Sequence, residues 1–124
     1  MIERIDRGLA TVDEALGLVD RNHDRLHEAE LHRIKGELLL DASRARRSEA
    51  EACFREAIAI ARRRGARSLE LRATTSLSRL LHQQRRTAAA RDLLRVVHAE
   101  FSEGFQTPDL QDAAALLEEL GPGG

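Results

Sequence analysis

The sequence repeats one pattern of side-chain size three times, with its first residue at positions 8, 50 and 90. In each copy a small residue is followed four positions later by a larger one, and three positions after that by another small or medium one. Helices with this pattern approach closely at the small residues while the larger residue fills the space between them. The three copies are Gly8, Val12 and Ala15; Ala50, Phe54 and Ala57; and Ala90, Leu94 and Val97.

A second element precedes two of these copies and suggests that the helices come in pairs. Gly36 lies fourteen residues before Ala50, and Ser78 lies twelve residues before Ala90. Each of these small residues is followed three positions later by a leucine. The pattern therefore predicts pairs of packed helices that repeat along the chain.

Composition supports an all-α fold. Phenylalanine supplies the only three aromatic residues, and tryptophan and tyrosine are absent, so the core must consist of Leu, Ala, Val and Ile. The single cysteine excludes an internal disulfide framework. The sequence has no apolar run long enough for a membrane span and no secretory h-region at its start, which leads us to expect a cytoplasmic protein with no membrane association.

Apolar spacing of three and four residues predicts six helices in a single domain, residues 1–120, with a flexible tail at 121–124. Ser48, with Glu51 three residues on, matches a capping box, and Gly65 suits a left-handed C-terminal cap. Thr107 followed by Pro108 is a helix start. The connections are short, which predicts antiparallel hairpins. The predicted helices are 2–20, 25–42, 49–64, 68–84, 87–102 and 108–120.

Charge is unevenly distributed along the chain. Residues 1–43 contain six basic and ten acidic side chains, residues 44–95 contain fourteen and five, and residues 96–124 contain none and six. The arginine clusters Arg44/Arg46/Arg47, Arg62/Arg63/Arg64 with Arg67, and Arg85/Arg86 fall at helix ends or turns, where cations interact favourably with the helix dipole. The alternative is an anion or nucleic-acid site. The balanced net charge of −1 and the lack of aromatics for base stacking argue against nucleic acid.

Three segments resemble a known family: AELHRIKGELLL (29–40), AEACFREAIAIARRRGARSLELRATTSLSRLL (50–81) and ARDLLRVVHAEFSEGFQTPDLQDAAALLEEL (90–120). They are similar to the C-terminal tetratricopeptide-like region of large bacterial adenylate or guanylate cyclases and predicted ATPases. The resemblance implies a right-handed array of antiparallel helix pairs with the last helix as a cap. It also implies a signalling or regulatory role through protein–protein interaction.

In tetratricopeptide arrays the first helix of each pair lines a groove that holds an extended or helical peptide. The resemblance therefore implies a partner-binding groove on two helices of this chain. The alternative is that the same side chains only solvate an exposed helix face. The predicted groove residues are Glu30, Arg33, Glu37 and Leu40, then Arg72, Thr75, Arg79 and His82.

The chemistry of the parent proteins has no counterpart in these residues. The sequence contains no GxxxxGK[ST] phosphate loop and nothing like a cyclase metal-binding pair, so we expect no catalytic residue and no cofactor. The chain also starts with a second-type helix that lacks its first-type partner. This suggests a C-terminal piece of a cyclase or ATPase, a truncated gene product or a stand-alone remnant. Its partner would then be a separate protein or peptide, or a neighbouring domain of the larger polypeptide, and an exposed apolar helix face would favour self-association.

Two further side-chain groups have residue types that occur in functional sites. His23 and His27 stand four residues apart, but HDRLH lacks the glutamate of a metalloprotease helix, so we expect solvated histidines and no metal site. Cys53 lies beside Phe54 on the packing face, where a buried and unreactive thiol is the expectation.

Overall fold

The computed structural model describes residues 7–16, 27–101 and 107–121, and all regular structure within these ranges is helical. The all-α prediction is therefore confirmed. Helix α1 includes residues 7–16. A short 3₁₀ turn, Arg44–Arg46, joins α2 to α3. The other five helices are α2 (Glu28–Ala42), α3 (Arg47–Arg63), α4 (Arg67–Gln83), α5 (Thr87–Ala99) and α6 (Pro108–Leu120).

The helices stack in two layers. Each helix from α2 to α5 packs on the next one, and α4 also contacts both α2 and α6 directly. Helices α2, α4 and α6 therefore form one layer with α4 in the middle, and α3 and α5 form the other. Helix α1 packs against α2, where Lys35 Nζ lies 2.8 Å from Asp13 Oδ1. The arrangement is that of a helical repeat.

The close approach predicted at Gly36 is present between α2 and α3. A β-carbon built on Gly36 would lie 2.6 Å from Cε1 and 2.8 Å from Cδ1 of the Phe54 ring. Phe54 has no exposed surface, so its ring cannot move aside into solvent. Glycine at this position lets the ring of α3 sit directly against the α2 backbone.

The next pair, α4 and α5, uses a different solution at the corresponding positions. Ser78 takes the place of Gly36, and its Oγ donates a hydrogen bond of 3.1 Å to the carbonyl of Ala90. Leu94 takes the place of Phe54 and is equally buried. Serine is larger than glycine and leucine is smaller than phenylalanine, so the two side chains together fill a similar volume in both helix pairs.

Helices α3 and α4 end in the same way. After α3, the Ala66 N–H donates to the Ala61 carbonyl (2.9 Å) and the Gly65 N–H to the Arg62 carbonyl. These two bonds define a Schellman motif with Gly65 in the left-handed region at φ +67°, which confirms its predicted role as C-terminal cap. Twenty residues later the same two bonds follow α4, but the left-handed position is held by Arg85, at φ +62°.

The start of α3 was predicted wrongly. Ser48 is not the N-cap, because α3 already begins at Arg47 and its N-cap, Arg46, makes no side-chain capping bond. The 3₁₀ turn runs straight into the helix, and it is Ser43 Oγ that accepts a hydrogen bond, 3.1 Å long, from the Ala45 N–H. The serine that bonds an otherwise unpaired backbone N–H at this junction is therefore Ser43, which precedes the 3₁₀ turn, and not Ser48.

Other boundaries differ less. Helix α5 ends at Ala99, not at 102, because the Glu100 and Phe101 N–H groups bond to carbonyls three residues back, which turns Phe101 onto the core. The start of α6 is as predicted, with Thr107 Oγ1 accepting from the Leu110 N–H. The predicted helical residues 2–6, 17–20, 25–26 and 102, and the tail at 122–124, lie outside the described residues.

Candidate functional site

One chain of ion pairs crosses the layer formed by α2, α4 and α6. Arg72, on α4, donates through Nε and Nη2 to the two carboxylate oxygens of Asp109 on α6, at 3.1 and 3.0 Å. Its Nη1 donates to Glu30 on α2. Arg33 Nε binds the other oxygen of Glu30 at 2.7 Å. Since Arg72 reaches carboxylates on both neighbours, it ties the three helices together on this face.

Electrostatics keep these groups ionised. Burial alone would raise the pKa of Glu30, but hydrogen bonds from Arg33 and then Arg72 outweigh burial and bring that pKa below its ordinary value. The pKa of Arg72 is raised, first by its hydrogen bonds to Asp109 and then by those to Glu30. Charge-assisted and bidentate pairs of this kind are the strong ones among protein hydrogen bonds.

A cleft of about 240 Å³ opens beside this ion-pair chain. Arg79 and Asp112 are its exposed charges, and neither makes an ion pair within the residues that the structure describes. Thr75 lies at the floor of the cleft, buried, with its hydroxyl donating to the Leu71 carbonyl at 2.9 Å. We call this the layer cleft; its lining is Arg33, Arg72, Thr75, Ser76, Arg79, Asp109 and Asp112.

The structure brings together five of the eight predicted groove residues: Arg33, Arg72, Thr75 and Arg79 line the layer cleft, and Glu30 is bonded to two of them. The remaining three are placed differently. Glu37 lies 4.0 Å from Arg33, and Leu40 packs against the core. His82 contacts Thr87 Oγ1 at 3.0 Å through Nδ1, and its Nε2 lies 3.7 Å from Glu119.

Sequence reasoning missed Asp109 and Asp112, because α6 was interpreted only as a cap. The repeat pattern carried no signal for them, because Ala115, six residues after Asp109, is exposed and is not followed three positions later by a leucine, unlike Gly36 and Ser78.

Four of the nine arginines in the clusters face carboxylates. Arg62 Nη2 lies 2.8 Å from the buried carboxylate of Glu70, and Arg86 lies 3.5 Å from Glu51. Arg46 and Arg63 are also paired, at 3.5 Å from Glu49 and 3.9 Å from Glu56 respectively. Part of the positive charge of residues 44–95 is thus paired locally, which reduces the charge that an anion or nucleic-acid surface could use.

The other candidate groups show no assembled site. His23 lies outside the described residues, and His27 is exposed. Within ranges 7–16, 27–101 and 107–121, no three His, Cys, Asp or Glu side chains are grouped to hold a metal ion. Burial raises the pKa of the Cys53 thiol although nearby Lys35 acts in the opposite direction, so the thiol stays protonated at neutral pH.

Comparison with models of protein families, with curated proteins and with solved structures yields no match to this chain. Of the helices described, none combines the length and the apolar character that crossing a membrane requires.

Proposed function

We propose that this chain is a non-catalytic protein-interaction module of the tetratricopeptide type, which binds a peptide segment of a partner in the layer cleft. The observation that carries the proposal is the polar face shared by α2, α4 and α6, where charged side chains from three stacked helices meet around one cleft. Stacked helix pairs commonly use such extended faces for binding.

The charges of the cleft indicate which groups a partner must supply. Arg72 is saturated by two carboxylates, and Arg33 is bound to Glu30. Arg79 and Asp112 remain for a ligand. A peptide that places a carboxylate near Arg79 and a cation near Asp112 satisfies both, and a segment of opposite charge order is repelled.

A peptide selection tests the proposal. Random peptides displayed on phage are selected on the wild-type chain, and the affinity of each enriched peptide is then measured for three proteins. We expect Arg79→Glu to weaken binding about tenfold, because a favourable charge pair is replaced by a repulsive one. Arg55→Glu, on the exposed surface of α3, is the matched control and is expected to bind as wild type.

Enriched peptides that bind Arg79→Glu and wild type equally well would show that the layer cleft is not the site. Circular dichroism of each variant confirms that the comparison is made between folded proteins. A selection that enriches no sequence at all contradicts the proposal in the same way.

The resemblance to the cyclase and ATPase family supports a second proposal: this module belongs to a larger signalling polypeptide whose catalytic domains lie elsewhere. The cleft would then hold a neighbouring domain of the same protein. An antibody against residues 50–72 separates the two cases in an extract of the source cell. A band near 13.8 kDa indicates a free-standing adaptor, and a band several times larger indicates a regulatory segment.

A further inference from the structure

The layer cleft contains a sheltered hydroxyl group that has no hydrogen-bond partner in the described part of the chain. It belongs to Ser76 of α4, which lines the cleft and is only 4% exposed. The neighbouring Thr75 hydroxyl differs, because it donates to the Leu71 carbonyl. The Thr74 hydroxyl is also unpaired, but it is fully enclosed, whereas a ligand in the cleft can reach Ser76. A group that bonds to Ser76 would satisfy a hydroxyl that is otherwise costly to leave unpaired.

The remaining polar groups of the cleft divide into bound and unbound ones. Of its seven lining residues, three belong to the ion-pair chain, and the Thr75 hydroxyl is bonded to the backbone. Within residues 7–16, 27–101 and 107–121, this leaves Ser76, Arg79 and Asp112 without a partner. A ligand therefore meets a cation, an anion and a hydroxyl that can both donate and accept. None of the seven has an apolar side chain, so the lining offers no pocket for an apolar anchor.

The spacing on α4 indicates how the groups of a ligand must be arranged. Ser76 and Arg79 stand three residues apart on one face of the helix, where side chains are neighbours at about 5–6 Å. In an extended peptide, alternate side chains share a face and lie about 6.5 Å apart. A hydrogen-bonding side chain and a carboxylate that are two residues apart in an extended segment therefore match Ser76 and Arg79.

We propose that Ser76 determines the specificity of the layer cleft by selecting an uncharged hydrogen-bonding side chain (Asn, Gln, Ser or Thr) two residues from the carboxylate that pairs with Arg79. This inference rests on the proposed function, because it concerns which peptide the cleft accepts. An apolar side chain at that position would bury the Ser76 hydroxyl without a hydrogen bond. A charged side chain would exchange water for a neutral hydroxyl, which costs more.

A selection of random phage-displayed peptides on three forms of the full chain tests the inference. The three are wild type, Ser76→Ala and Arg79→Glu. On wild type, we expect enriched peptides to carry the uncharged polar residue two positions from Asp or Glu. On Ser76→Ala the preference for the polar residue should disappear while the preference for the acidic residue remains. On Arg79→Glu the preference for the acidic residue should disappear.

Affinities provide the second measurement, with one peptide enriched on wild type and its variant carrying alanine at the polar position. On wild type, we expect the alanine variant to bind about two- to tenfold more weakly, the range for one hydrogen bond. On Ser76→Ala the two peptides should bind equally. Ser48→Ala, at an exposed position of α3, is the matched control and should discriminate between the peptides as wild type does. Circular dichroism checks that each variant is folded.

Two results would overturn the inference. If enriched peptides need Arg79 but show the same sequences and affinities on Ser76→Ala as on wild type, Ser76 does not select the partner, and the proposed function still stands. If binding depends on neither Ser76 nor Arg79, the ligand does not lie in the layer cleft, and the proposed function fails together with this inference.

Discussion

The seam between α2 and α3 permits a sharp test of the repeat packing, through Gly36→Ala. The added methyl would lie 2.6 to 3.0 Å from three atoms of the Phe54 ring, well inside van der Waals contact. Inserting a methyl into a packed core costs about 1–3 kcal/mol, and the rigid, fully buried ring places this site near the upper end. Alanine returns about 1 kcal/mol through its better helix propensity. We expect a net destabilisation of about 1–2 kcal/mol.

In the background of a second substitution, Phe54→Leu, we expect Gly36→Ala to stabilise the protein instead of destabilising it. Phe54→Leu removes the ring atoms that the methyl would strike, so Gly36→Ala in that background keeps the propensity gain and loses the clash. We expect the second background to gain about 0.5–1 kcal/mol from alanine, which gives a coupling energy of about 2 kcal/mol. The corresponding pair in the next repeat, Ser78 with Leu94, is a natural version of this double change.

Gly8→Ala is the control. Its β-carbon would lie 3.2 Å from the end of the Leu38 side chain, a flexible group that can shift. The helix-propensity gain of about 1 kcal/mol should therefore offset the contact, so that stability stays close to that of wild type.

Urea unfolding followed by circular dichroism measures the four proteins of the cycle and the control. The reasoning fails if Gly36→Ala is neutral or stabilising in the wild-type background. It also fails if the cost is unchanged by Phe54→Leu, because Phe54 would then not be the group that the methyl meets.

Four other substitutions test the structure. Arg85→Gly should stabilise the protein by about 0.5–1 kcal/mol, because a left-handed conformation costs an L-residue about 1–2 kcal/mol and the greater entropy of glycine in the unfolded chain offsets part of this gain. Gly65→Ala should destabilise the protein by about 1 kcal/mol. Shifts of the melting temperature in opposite directions would confirm both predictions. Arg72→Gln should cost about 1–3 kcal/mol at pH 7. Folding lowers the pKa of Glu30 below its ordinary value of 4.5. The ion pairs of Glu30 therefore stabilise the fold above pH 4.5 and are lost as the pH falls through the pKa of the folded state. Between about pH 7 and pH 3, the free energy of unfolding should consequently change less in Arg72→Gln than in wild type. Thr74→Val should stabilise the protein by about 1 kcal/mol, because the Thr74 hydroxyl is buried and has no hydrogen-bond partner among the residues that the structure describes. A lower melting temperature would contradict this.

Periodicity of apolar residues was enough to predict the helices, because a core of small and aliphatic side chains leaves few other ways to bury them. The size pattern also anticipated that paired helices approach closely at small residues such as Gly36, although it did not identify Phe54 as the group that Gly36 meets. Cap positions were less predictable. Ser48 and Glu51 match a capping box locally, but the preceding turn continues into α3. The residue type of Arg85 does not indicate a left-handed conformation. That conformation accompanies the two backbone hydrogen bonds that end α4 in the same way as α3.

The candidate site was only partly predictable, because a repeat pattern indicates which residues share the groove face but not which of their charges pair with one another. Glu30, Arg72 and Asp109 lie side by side on the three helices of one layer, and this alternation of sign makes neighbours attract where equal charges would repel. These side chains consequently bind one another within the layer and are not available to a partner. Charges available to a partner must then lie further along the same helices, where Arg79 stands seven residues after Arg72 and Asp112 three residues after Asp109. The specificity of peptide binding in the layer cleft should therefore depend on Arg79 and Asp112. The ion pairs of Glu30, Arg72 and Asp109 should affect binding only through the stability of the fold.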